Sequence, residues 1–395
     1  MKILVLNLGS SSIKFKLFDM NDKTVISSGL VEKIGENSSL AKLKVENNEK
    51  IFEISKPIKD HGDALEVMEE LFKQSGTIND FSELSGIGHR IVHGGNKYFK
   101  PTLVNEKVIQ DIEDIIPLAP LHNPAHAIGI RSVIKKAPNV KNVAIFDTAF
   151  HQTMPKHAYL YALPHEYYEK YKIRRYGAHG TSHEYVSNVG AQFLGIDIKE
   201  FNCITLHLGN GASVSAIKNG KCIDTSMGLT PLAGLIMGTR CGDIDPAILP
   251  YLKRVANIDV EEMDNIMNKK SGLFGICGTN DIRDIEKTMA TNENSKLAFD
   301  MFCYRIKKYI GSYYAALGRV DAIIFTAGIG ENHALTRETV CKDMKILGIE
   351  IDKTKNKVFE KKPRDISSKD AKVKTLIIPT DEELAIALAT LELVK

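Results

Sequence analysis

The sequence predicts a two-domain α/β protein made by internal duplication, and three observations carry that expectation. The chain has 395 residues, enough for two domains at about 100–200 residues each. Leu4 to Phe15 reads as an apolar strand, a small-residue turn and a second, alternating strand, and Ile204 to Ser215 repeats the layout with Gly9 aligned on Gly209. Elsewhere, short buried-strand runs alternate with segments of helical spacing. Composition would allow two such segments to match by chance; position favours duplication, because each copy opens its half.

Taken in order, Val143–Phe146 and Ala322–Phe325 are buried-strand runs ending in polar or small residues, and Asp63–Lys73 and Ser295–Leu317 carry helical spacing. Pro379-Thr380-Asp381-Glu382-Glu383 leads into Leu384–Leu388, with Thr380 as the expected helix cap and acids in the first turn. The Lys-rich stretch from Lys353 to Lys374 reads as a solvated surface rather than a polyanion site. Hydrophobic residues at 43% and charged residues at 26% set aside disordered, collagenous and disulfide-scaffold classes. A net charge of +3 gives no reason to expect a nucleic-acid or membrane partner. The N-terminus passes from Ile3–Leu6 straight into Asn7 and Gly9, without the apolar length of a signal peptide, so a cytoplasmic protein is expected. Six scattered cysteines without a C-x-x-C pair suggest reduced thiols, with Cys241 beside Arg240 a lesser catalytic candidate.

Asn7-Leu8-Gly9-Ser10-Ser11-Ser12 follows a strand and precedes Lys14; small residues admit a phosphate, hydroxyls donate to it and a lysine adds charge. An ordinary hairpin turn explains this segment equally well. The second copy, Gly209–Ser213, raises the phosphate reading. No G-x-x-x-x-G-K-[ST] and no complete strand-borne G-x-G-x-x-G occurs, so a nucleotide would need another architecture. Arg90 stands between His89 and His93 before Gly94-Gly95, a planar fork with room for a carboxylate or phosphate. Metal binding by His89 and His93, or by His122 and His126, is poorly supported. Asp147 follows a buried strand, where α/β sheets place ligands, although a cap would explain it too. Arg174–His183, the Arg240 loop from Met237 to Pro246 and the Gly-rich turn Phe325–Asn332 complete the candidates. Two arginines, a strand-end aspartate, a loop histidine and Gly/Ser turns describe phosphoryl transfer to a small anionic acceptor.

Asn7–Lys14 and His89–Gly95 closely resemble the two signature motifs of acetate kinases, and the likeness continues through Arg175–Gly177, His179–His183, His207–Gly211, Gly328–Asn332 and Pro379–Glu383. The resemblance implies a duplicated actin-like (ribonuclease H-like) α/β fold with mixed sheets and an active-site cleft between two domains, 1–148 plus 380–395 and 149–379. It implies reversible transfer from ATP to acetate, giving acetyl phosphate and ADP, with a propionate or other short-chain carboxylate kinase as the alternative and an actin-like ATPase as a remote one. By the same likeness Asn7 and Glu382, with Glu383 not excluded, would hold Mg²⁺ or Mn²⁺, and Lys14 would lie near the nucleotide phosphates. Arg90 would bind acetate, Asp147 would be the active-site acid, and His179 and Arg240 would stabilise the phosphoryl group. A phosphohistidine at His179 is the rival mechanism. His207, Leu208, Gly209, Asn210 and Gly211, Asp281, Ile282 and Arg283, and Gly328, Ile329, Gly330, Glu331 and Asn332 would bind ATP or ADP. A homodimer with no nucleic-acid or membrane partner is implied. Ala178 departs from the family's usual aromatic before His179, which puts the acetate preference in question.

Overall fold

The computed structural model describes residues 1–120 and 122–395, which fall into two compact units: Met1–Ala149 with Asp381–Lys395, and Phe150–Thr380. The first unit contains strands β1 (Lys2–Leu8), β2 (Ser12–Asp19), β3 (Thr24–Glu32), β4 (Leu40–Val45), β5 (Ile51–Ser55), β6 (Gly86–Ile91), β7 (Thr102–Leu103) and β8 (Asn142–Phe146). The second contains β9 (Asn202–Leu208), β10 (Ala212–Lys218), β11 (Lys221–Thr225), β12 (Ala322–Thr326), β13 (Arg364–Asp365) and β14 (Lys374–Ile377). The sheets run β5-β4-β3-β2-β1-β6-β8-β7 and β11-β10-β9-β12-β14-β13. Within them β3-β2-β1-β6-β8 and β11-β10-β9-β12-β14 are the same core: an antiparallel meander whose first strand pairs in parallel with a fourth, and the fourth with the fifth. This shared order is the duplicated actin-like α/β fold.

The repeat is offset by one residue on its return strand. Leu8 pairs with Ile13, whereas Leu208 pairs with Ala212, because the first hairpin closes through Gly9 N–H to Ser12 C=O and the second through Gly209 N–H to Gly211 C=O.

Helices α1 (His61–Ser75) and α2 (Asn123–Lys136), α3 (Gly180–Leu194), α4 (Glu293–Leu317), α5 (Ala327–Asn332) and α6 (Glu382–Val394) matter most here. Alternation along β1 sends Leu4, Leu6 and Leu8 into a core with α1, and Ile3 and Val5 into one with Ile386 and Leu391 of α6. The second contact is close: a Cβ on Gly88 would lie 2.4 Å from Thr390 Oγ1, so glycine is what lets α6 settle on β6. In the second unit, Ile204, Leu206, Leu208, Ala212 and Val214 pack against Phe299, Phe302 and Ile306 of α4. The opposite face, under α3, is apolar at Cys203, Ile217 and Ile324 and turns polar toward the loop end, at Thr205, His207, Ser213 and Ser215. Among the described residues no helix is long and apolar enough to cross a membrane, and all six cysteines are free.

Candidate active site

In the first unit the backbone register sets one row of side chains on the face covered by α6: Lys14 opposite Asn7, Asn7 opposite Arg90, Arg90 opposite Ile145. Asp147 follows β8, its N–H donating to the Ile91 carbonyl. Arg90 donates to the Asp147 carboxylate from Nη2 at 2.7 Å and from Nε at 3.0 Å, and the Asp147 side chain is only 2% exposed. This pair, foremost by its Coulombic attraction, holds the guanidinium well above its ordinary pKa. The fork therefore has two N–H groups committed to Asp147 and presents a third side, Nη1, in a fixed plane.

The start of α6 brings two more carboxylates. Its cap is Asp381, whose carboxylate accepts from Leu384 N–H, rather than Thr380; Thr380 instead lies 2.9 Å from Ser182 Oγ. Aspartate reaches a free N–H three residues on and adds charge to the positive helix end, which makes it the stronger cap. Glu382 Oε2 lies 3.8 Å from Arg90 Nη2. Glu383 pairs with Lys14 at 3.0 Å and with Lys16 at 3.4 Å. The two glutamates diverge accordingly. Burial raises Glu382 to about 7, with Asp147 and Glu383 adding to the rise against the pull of Arg90. Burial alone would raise Glu383 too, but Lys16 and Lys14 outweigh it and bring it below the ordinary range.

In the second unit, His179 precedes α3 in the left-handed region, φ 58°, a costly conformation for a residue with a side chain. Its ring stacks on His207 with centroids 4.1 Å apart. His179 Nδ1 lies 2.8 Å from Ser213 Oγ, and His207 Nδ1 lies 2.8 Å from Ser182 Oγ. Arg240 extends from its loop, donating from Nη1 to the Pro231 carbonyl. A Cβ placed on Gly211 would sit 3.6 Å from His179 Nε2 and 3.7 Å from Arg240 Nη1, so both groups border the space that this glycine leaves open. Beside it is a cavity of about 530 Å³ lined by Gly209, Asn210, Asp281, Ile282, Arg283, Gly328, Ile329 and Asn332. Arg283 is exposed and grips Asp281 at 2.6 Å.

The structure thus gathers Lys14, Asn7, Arg90, Asp147 and Glu382 in one unit, and His179, Arg240, Gly211 and the cavity in the other. His207 and Leu208 end β9 rather than lining that cavity, and Glu331 is occupied in accepting from the N–H groups of Ala327 and Thr380. Asn280 and His333 line the cavity as well, which the motifs did not single out. Ser213 and Ser182, hydrogen-bonded to His179 and His207, and His183, bonded in turn to Ser213, were not singled out one by one, since a hydroxyl or ring inside a strand or helix carries no signal without its partner. Among the described residues, no group of three or more His, Cys, Asp or Glu side chains is arranged to hold a metal ion.

A family model described as the Acetokinase family matches residues 2–388. The acetate kinase of Campylobacter fetus subsp. fetus is 58% identical over 395 residues, covering 100% of this chain and 99% of that protein. Among solved structures, the chain is similar to Porphyromonas gingivalis acetate kinase, with TM-score 0.96, 45% identity and all of both chains covered. It is also similar to a propionate kinase from Francisella tularensis, with TM-score 0.91, 42% identity and 99% of each chain covered.

Proposed function

We propose that this chain, which belongs to the acetokinase family, transfers the γ-phosphoryl group of ATP to the carboxylate of acetate, reversibly giving acetyl phosphate and ADP. The observation that carries this reading is the pair His179 and Arg240 bordering the open space over Gly211, next to a cavity large enough for a nucleoside. One acetate oxygen bonds to the γ-phosphorus as the bond to the β,γ-bridging oxygen breaks, and ADP leaves with that oxygen. Three equatorial oxygens carry the charge in flight, and Arg240 and His179 meet it without forming a bond.

Acetate is already ionised near neutral pH, so the step needs no general base. Asp147 then serves by position: it fixes the plane of Arg90, whose remaining N–H groups bind the carboxylate. Asn7 and Glu382 are the residues fitted to Mg²⁺, with Mn²⁺ as the substitute. Glu383 is already neutralised by two lysines, whereas Glu382 is crowded by burial and by two carboxylates, a strain that a divalent cation relieves. When bound, the ion neutralises phosphate charge. Lys14 adds to that neutralisation, and Gly209, Asn210, Asp281–Arg283, Gly328, Ile329 and Asn332 hold the nucleotide.

A second reading, propionate as acceptor, has one observation in its favour: Ala178 stands where the family usually has an aromatic, beside His179. Free cysteines suit the reducing cytoplasm. Exposed Leu297, Met301 and Tyr304 form one stripe on α4 that suits pairing with a second copy.

The test is hydroxylamine-trapped acyl phosphate from ATP and Mg²⁺ with acetate, propionate and butyrate in parallel. Acetate-dependent product that collapses in Arg90→Ala is expected. ATP hydrolysis indifferent to every acid would overturn the reading, and equal kcat/KM for acetate and propionate would overturn the acetate assignment.

A further inference from the structure

The polar patch under α3 is the least expected feature of the second sheet. Strand alternation ordinarily turns polar residues toward water, yet Thr205 and Ser213 are fully buried, and so is His183, which α3 lays over them. They are joined in one line. His179 Nδ1 lies 2.8 Å from Ser213 Oγ, Ser213 Oγ lies 2.8 Å from His183 Nε2, and His183 Nδ1 lies 2.6 Å from Thr205 Oγ1.

Ser213 has one proton and two lone pairs; if it accepted from both imidazoles its own buried proton would find no acceptor among the described residues, so it links them by donating to one and accepting from the other. Burial, with His151 and His207 nearby, holds His183 well below its ordinary pKa, so it is neutral and carries a single N–H. Two proton arrangements remain. In the first, Thr205 donates to His183 Nδ1, His183 Nε2–H donates to Ser213, and Ser213 donates to His179 Nδ1. In the second, every proton is reversed: His179 Nδ1–H donates to Ser213, Ser213 to His183 Nε2, and His183 Nδ1–H to Thr205.

The arrangements differ at Thr205. In the first, all three protons have acceptors. In the second the buried Thr205 hydroxyl keeps its proton, and among the described residues no other acceptor for it is within hydrogen-bond distance. A buried donor without an acceptor is the costly case, so the first arrangement is the stable one.

We infer that Thr205, His183 and Ser213 are positioning residues, a hydroxyl–imidazole–hydroxyl relay that holds His179 as the tautomer protonated at Nε2. This rests on the placement of His179 against the transferring phosphoryl group. The consequence is chemical. A neutral ring protonated at Nε2 is a hydrogen-bond donor on the edge bordering Gly211, and its only lone pair is on Nδ1, taken up by Ser213. Such a ring can stabilise an equatorial oxygen and cannot attack phosphorus from Nε2. The relay thus selects direct transfer over a phosphohistidine using residues that touch no substrate.

The test uses full-length enzyme labelled with ¹⁵N-histidine, in long-range ¹H–¹⁵N correlation spectra, with His179 assigned by its loss in His179→Gln. The expected wild-type pattern is a pyrrole-type Nε2 and a pyridine-type Nδ1. Ser213→Ala and, more gently, Thr205→Val are expected to mix the tautomers. In Ser213→Ala, kcat should fall by about tenfold or more while KM for ATP and acetate stays within about twofold, and Ser213→Thr should restore both spectrum and kcat. A pyrrole-type Nδ1 in the wild type, or His179 signals unmoved in both Ser213→Ala and Thr205→Val, would overturn the relay. Mixed tautomers with an unchanged kcat would uphold the relay and overturn the placement of His179 at the phosphoryl group.

Discussion

Replacing Arg90 with alanine puts the geometry of the first unit to a quantitative test. Asp147 is a carboxylate whose side chain is 2% exposed, and Arg90 donates to it from two nitrogens, Nη2 at 2.7 Å and Nε at 3.0 Å. Removing one partner of a buried ion pair strands the other, at a cost of about 3–5 kcal/mol. In a unit of this size each kcal/mol lowers the midpoint of thermal unfolding by about 2–4 °C, so a fall of about 6–20 °C is expected. Replacing both residues, Arg90→Ala with Asp147→Asn, removes the buried negative charge together with its counter-charge and recovers a coupling energy of about 2–3 kcal/mol. The assay is urea and thermal unfolding by circular dichroism, with EDTA present so that no cation substitutes for the guanidinium. A loss below about 1 kcal/mol in Arg90→Ala, or additive costs in the double variant, would refute the claim that Asp147 and Arg90 act as one unit.

Three further perturbations read other parts of the molecule. His89 is fully buried, and burial holds it down to about 4 against about 6.5 in the unfolded chain, so the unfolded state takes up a proton the folded state refuses. This contribution is intact above pH 6.5 and is lost, to about 3 kcal/mol, as pH drops from 6.5 to 4; urea midpoints at pH 7 and 4.5 check this, and His89→Gln should shrink the difference by most of that amount, His126 and His183, likewise held down by burial, supplying the remainder. Gly211→Ala places a methyl 3.6 Å from His179 Nε2 and 3.7 Å from Arg240 Nη1, ordinary contacts in the free protein, so the melting temperature should hold while the occupied space lowers kcat by about 100-fold; wild-type turnover would show that the phosphoryl group does not pass there. Ala178→Phe returns bulk to a buried position beside His179 and should shift the kcat/KM ratio toward acetate over propionate by about tenfold, within the ~1–3 kcal/mol that one methylene commands; an unchanged ratio would mean Ala178 lies outside the acyl pocket.

Much of the fold was legible because its signals are local. The strand runs at Val143–Phe146 and Ala322–Phe325, the helical spacing from Ser295 to Leu317 and the repeated strand–turn–strand all depend on periods of two or 3.6 residues within one segment. The motifs named Arg90, Asp147, His179 and Arg240 for the same reason: each stands in a short string whose chemistry is readable without a partner. Local reading failed where competition between neighbours decides. Thr380 looked like the cap of the last helix, yet Asp381 takes that role while Thr380 bonds to Ser182, and the second hairpin closes one residue sooner than the first.

What only the tertiary structure decided is which distant residues share a space. Packing of α6 against β6 and β1 carries Glu382 and Glu383 to Arg90 and Lys14, residues from opposite ends of the chain, and so makes the two adjacent glutamates electrostatically unlike. Docking of α3 turns Thr205 and Ser213 from an ordinary polar strand face into a sealed network on His183 and His179. Alternation says that a strand has two faces; it cannot say what covers each, and the direction of a proton between buried groups depends on that cover.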